Sequence, residues 1–71
     1  MTSFKPKEVV KILRKLGFTE KRQKGSHLIM YNPNSNITIP VPMHSKDLKK
    51  GLLKGIRKDA ESTEKEFLKL K

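Results

Sequence analysis

Between Gly25 and Ser45 the chain carries no Lys, Arg, Asp or Glu, although charged residues crowd both sides of that stretch. Lys21, Arg22 and Lys24 precede it; Lys46, Lys49, Lys50, Lys54, Arg57 and Lys58 follow it. Charged side chains resist burial, so the uncharged centre is the part that pairs and packs while the charge rings it. The pattern predicts a central sheet flanked by basic helices. In "ITIPVP" Ile37, Ile39 and Val41 alternate with Thr38, Pro40 and Pro42, predicting a strand over Asn36–Val41 whose ladder bonding the prolines restrict. The turn-forming "NPNSN" joins it as a hairpin to a strand over Ser26–Tyr31. A further extended segment covers Phe18–Gln23. Leu28, Ile29, Met30 and Tyr31 are all wholly or partly apolar, so periodicity leaves the direction of His27 open.

Helices bracket this centre. Pro6 suits a first helical position, Glu8 favours the positive end of the helix dipole, and Gly17 follows the last apolar residue. Val9, Ile12, Leu13 and Leu16 repeat at helical spacing, so a helix is predicted over Pro6–Leu16, with Phe4 packing on Val9. After the centre, Ser45 as cap, Asp47 in the first turn and the stripe Leu48, Leu52, Leu53, Ile56 and Ala60 predict a helix over Lys46–Ala60. Gly51 and Gly55 cost roughly 1 kcal/mol each inside a helix, which predicts close approach to the sheet or the first helix. Thr63 and Glu66 form a capping box for a short last helix whose Phe67, Leu68 and Leu70 cover a core edge. The expected architecture is α+β, α-β-β-β-α, a three-stranded antiparallel sheet with the helices on one face. Val9, Leu13, Leu16, Ile37, Ile39, Leu48, Leu52 and Ile56 are the expected core.

Residues 1–71 are read as one domain, with a thin core, because so short a chain buries only about 60% of its unfolded surface. The chain has no cysteine, so neither a disulfide nor a thiolate metal site supports the fold. The first residues have no apolar signal-like run and no stretch is long enough to span a bilayer, giving the expectation of a soluble, cytoplasmic protein without membrane contact. Seventeen Lys and Arg against seven Asp and Glu leave a net charge of +10, a field that draws polyanions, nucleic acid first among them. Lys21, Arg22, Lys24, Lys46, Lys49 and Lys50 are the candidate RNA contacts.

The seven carboxylates are scattered, with no converging set for a metal, and no phosphate loop, zinc spacing or nucleophile elbow is present; no cofactor is expected. RNA needs no metal to be cut, because its 2′-hydroxyl attacks the adjacent phosphorus once its proton is removed. An imidazole suits that proton transfer near neutral pH. His27 is the candidate, with Lys24 as cation for the phosphate and Ser26 as a hydrogen-bonding neighbour. Against this stand plainer roles: His27 as a surface residue, His44 as a turn contact beside the Ser45 cap, Tyr31 as half-buried packing rather than a base-stacking platform.

Taken together, "LGF" (16–18), "KGSH" (24–27), "ITIPVPMH" (37–44) and "DLKKGLLKGIRKDA" (47–60) resemble the HicA family of toxins over nearly the whole chain. The resemblance implies a fold similar to the double-stranded-RNA-binding domain, endoribonuclease activity on messenger RNA (an mRNA interferase) and inhibition by a HicB-type antitoxin. It places the catalytic histidine on His27, supported by Gly25 and Ser26. The chain departs from the family pattern at Leu28, where many members have a polar or basic residue, and at Glu61-Ser62-Thr63, where members often carry a Gly-hydrophobic-Ser stretch; the second helix is therefore expected to run on slightly. A non-catalytic RNA-binding module and a ribosome-associated basic protein are the alternatives.

Overall fold

The computed structural model describes residues 3–43 and 46–71. The order is α1 (Pro6–Lys15), β1 (Thr19–Lys24), β2 (His27–Asn32), β3 (Ile37–Pro42), α2 (Lys50–Asp59) and α3 (Glu64–Leu70). The strands form one antiparallel sheet in the order β1-β2-β3. The expected α-β-β-β-α arrangement is therefore present, with each strand displaced about one residue from its predicted start.

Strand alternation divides the sheet into two faces. Leu28 pairs with Val41 and Met30 with Ile39, and all four are buried in one cluster with Val9, Ile12 and Leu13 of α1, Leu53 and Ile56 of α2, and Phe67 of α3. The helices thus cover this face. His27, Ile29 and Tyr31, paired with Pro42, Pro40 and Thr38, lie on the other. The Met43 N–H donates to the Ser26 carbonyl at 2.7 Å, so alternation turns the nitrogens of Pro40 and Pro42 to the open edge of β3, where a missing N–H costs no ladder bond.

Both Pro6 and Glu8 act as expected at the start of α1. Pro6 is the first residue, and the Glu8 carboxylate accepts the Lys5 N–H at 2.9 Å. That bond holds the Glu8 pKa below its ordinary value; desolvation opposes it, and Lys71 adds to the lowering. At the other end Gly17, with φ 103°, sends its N–H to Arg14, while the Phe18 N–H reaches Leu13, closing the helix in a Schellman motif.

α2 departs from expectation. It begins at Lys50, with Lys49 extended as N-cap, not at Lys46. The Leu48 N–H donates to the Phe4 carbonyl at 2.9 Å, tying this segment to the N-terminal strand-like stretch instead of a helical turn. Asp47 therefore lies outside the helix; the Ser45 cap and the His44 turn contacts fall outside the described residues. The shortened helix meets the core along Leu53 and Ile56, and Leu52, an expected core residue, is 43% exposed. Leu16 and Ile37 are only partly buried at the core margin, whereas Val9, Leu13, Ile39, Leu48 and Ile56 are buried as expected. Gly51 and Gly55 approach nothing: an added Cβ would meet open space at either, which overturns the expected close contact.

Nor does α2 run on past Ala60. Glu61 adopts φ 56° and closes a second Schellman motif, its N–H to Lys58 and that of Ser62 to Arg57. α3 then starts at the expected Thr63 cap, with the Glu66 N–H donated to Thr63 Oγ1 at 3.1 Å; the reciprocal half of the expected box is not formed, since the Glu66 carboxylate accepts from the Ser62 hydroxyl instead. Phe67 is fully buried edge-on to Phe4, ring centres 6.0 Å apart; Leu70 packs at the margin and Leu68 is exposed.

Candidate functional site

The "KGSH" stretch is a two-residue hairpin turn. Lys24 and His27 are the last residue of β1 and the first of β2, directly paired, with Gly25 and Ser26 between them. Gly25 has φ 59° while Ser26 does not enter the positive region, the pattern of a turn with glycine at its first central position. A Cβ on Gly25 would meet no atom within 4 Å, so the backbone angle, not space, calls for glycine. The Ser26 carbonyl is held by Met43 and the Gly25 carbonyl by the Gln23 side chain at 3.0 Å, which anchors the turn on both sides.

Paired residues share a face, with Cβ atoms about 5 Å apart. The turn therefore sets Lys24 and His27 side by side on the face opposite the helices, and both are exposed. A register shift between Glu20 and Arg22 marks a bulge at Lys21. Its effect is to keep Glu20 on the helix side, where it pairs with Arg14, while Arg22 joins Lys24 on the open face. Lys21 reaches the same face, its ammonium 5.2 Å from the centre of the Tyr31 ring. Tyr31 is half-buried outside the core, its hydroxyl donating to Asn36 Oδ1 at 2.9 Å. Leu28 points into the core, so its departure from the family pattern leaves this face unchanged.

Beside His27 lies a groove of about 330 Å³. Pro40 and Pro42 line it from the edge of β3, Leu48 from the segment before α2 and Leu52 from the first turn of α2. Asp47 and Lys49 supply its charged groups. Of the expected RNA contacts, Lys21, Arg22 and Lys24 thus share the sheet face and Lys49 lines the groove. Lys46 belongs to a separate depression with Lys5, Lys7 and Met43, and Lys50 is exposed in the first turn of α2. Sequence reasoning assigned Asp47 to a helix and Leu52 to the core, missing both as groove residues. The available signal was that Asp47 is the only acidic residue between Glu20 and Asp59. Among the described residues no group of three or more His, Cys, Asp or Glu comes together as a metal site, and no helix is long and apolar enough to cross a membrane.

These features define a small cationic α+β domain with a lysine and a histidine at paired positions on an open sheet face. The family model for the HicA toxin of bacterial toxin–antitoxin systems matches residues 6–61, most of the chain. The protein belongs to the HicA toxin family, and as such is the toxin of a toxin–antitoxin pair. A comparison with curated proteins found no match.

Proposed function

We propose that this toxin is an endoribonuclease that cleaves messenger RNA without a metal, with His27 as its acid–base group and a HicB-type antitoxin as its inhibitor. The observation that carries this reading is the Lys24–His27 pair, presented on an open cationic face by the turn between them. His27 takes the proton of a 2′-hydroxyl as that oxygen bonds to phosphorus. The bond from phosphorus to the 5′-oxygen breaks, and the imidazolium returns the proton to that leaving oxygen. Negative charge builds on the phosphate oxygens meanwhile, and the ammonium of Lys24 stands where it stabilises them. Gly25 and Ser26 hold the two strand ends in register, so their role is positional. Lys21 and Arg22 extend the cationic track for the RNA backbone, with Lys49 in the groove wall, Lys50 next to it in the chain and Lys46 in a separate depression.

Purified protein is expected to cut RNA in the presence of EDTA and to leave 2′,3′-cyclic phosphate and 5′-hydroxyl ends. A 2′-deoxy nucleotide at the scissile position should block the cut. Loss of all activity on chelation, or cleavage of the deoxy substrate, contradicts the mechanism. RNA binding with no cleavage leaves the non-catalytic RNA-binding alternative.

A further inference from the structure

The one carboxylate on an otherwise basic surface needs a reason. From Lys21 to Lys58 the chain has a single acidic residue, Asp47, and it lines the groove beside His27. A negative charge there repels the phosphates that the surrounding lysines attract. Support of the helix dipole does not explain it, because α2 begins three residues later and has no acidic residue in its first turn. Nor does an ion pair with another described residue.

The groove itself supplies the explanation. Its walls are apolar, from Pro40, Pro42 and Leu52, and its volume of about 330 Å³ is at the lower end of the range for small-ligand sites, roughly 300–1,000 Å³. Leu52 remains 43% exposed there, an apolar surface available to a flat ring. We infer that this groove is a nucleobase subsite and that Asp47 makes it selective for guanine. Guanine alone among the four bases offers two adjacent donors, N1–H and the 2-amino group, to the two oxygens of one carboxylate. Its O6 and N7 accept from a cation, the role open to Lys49. Uracil offers one donor flanked by carbonyls, which the carboxylate repels; adenine and cytosine each offer one amino group. A base seated here lies next to His27, so selectivity in the groove becomes selectivity in the bond cut. This step rests on the RNA-cleavage reading above, and binding measurements separate the two.

The test uses His27→Ala protein and short oligouridylates carrying guanine, inosine, adenine, cytosine or uracil at one internal position. Guanine is expected to bind tightest, with inosine, which lacks the 2-amino group, weaker; one bidentate contact corresponds to roughly 5- to 150-fold discrimination. Asp47→Asn should tighten binding to the adenine, cytosine and uracil RNAs, because a repulsive charge is gone, but not to the guanine RNA, which loses its bidentate contact, so the guanine-to-inosine ratio should collapse toward one. Asp47→Ala should do the same. A carboxylate that acts only by its charge would change all affinities and leave the ratio intact, which overturns the proposal, as does equal affinity for all five bases or a preference for cytosine. Base-selective binding in a protein whose wild type cuts no RNA refutes the cleavage reading alone; cleavage without base-selective binding refutes the subsite alone.

Discussion

Lys24 and His27 occupy paired positions across the Gly25–Ser26 turn, so one short hairpin sets a lysine and a histidine side by side on one sheet face. Replacing either member should separate chemistry from binding. His27→Ala is expected to reduce cleavage by about 10²–10⁴-fold. Because His27 is exposed, its melting temperature should stay near that of the wild type. Lys24→Ala should weaken RNA binding and lower the slope of log affinity against log salt by about 0.7 on single strands. Cleavage at the wild-type rate by His27→Ala would end its assignment as the acid–base group.

Phe4 and Phe67 both lie outside residues 6–61, yet both are almost completely buried against each other. Lys71 strengthens the closure, its ammonium 2.7 Å from the Ser3 carbonyl and 4.8 Å from the centre of the Phe4 ring. Phe67→Ala should cost about 3–5 kcal/mol, a large share of the roughly 5–15 kcal/mol that stabilises a small domain. Urea denaturation checks this; a loss below about 1 kcal/mol would show that α3 contributes little to the fold.

Two positions, one inside α2 and one just past its C-cap, carry a residue suited to the other's environment. Glu61 sits at φ 56°, where an L side chain costs about 1 kcal/mol and glycine costs little. Gly55 lies inside the helix with open space around it, where alanine is better by roughly the same amount. Glu61→Gly and Gly55→Ala should each raise stability by about 1 kcal/mol, and together nearly additively. A destabilised Glu61→Gly protein would mean that the Glu61 side chain matters more than its backbone angle.

The lowered pKa of Glu8 links stability to pH through the Lys5 N–H bond. Its folded pKa lies below the unfolded value, so its contribution is present above the ordinary carboxylate range and fades as pH falls through the folded pKa. Wild type should therefore be more stable than Glu8→Gln at pH 7, and the difference should shrink on acidification below about pH 4. Melting curves at both pH values suffice, and a difference that grows in acid would reverse the assignment.

The antitoxin of this pair is expected to be acidic and to cover His27 and the cationic face around it. Opposite charge speeds such an encounter and aims it at the surface that RNA would use. Binding only the folded toxin, it should also raise the toxin's melting temperature in proportion to the logarithm of its concentration above its dissociation constant. Tight binding that leaves RNA affinity and cleavage unchanged would place the antitoxin on another surface.

Local patterns along the chain were enough to specify the set and order of elements. The charge-free stretch, the alternation of Ile37, Ile39 and Val41, and the apolar spacing from Val9 to Leu13 are local patterns, and local periodicity is set by which side of a strand or helix each residue faces. The Thr63 cap of α3 was equally legible, since its two partners are three residues apart. The face on which His27 lies follows from strand pairing instead, because a run of four apolar neighbours has no preferred face until β2 pairs on both sides. Tertiary contact also decided where α2 starts. The bond from Leu48 to Phe4 spans most of the chain, and no local pattern encodes that competition with a helical turn. That shift freed Asp47 and Leu52 from the roles their spacing implied and placed both in the groove beside His27, since a groove is made by elements that meet only after the chain has folded.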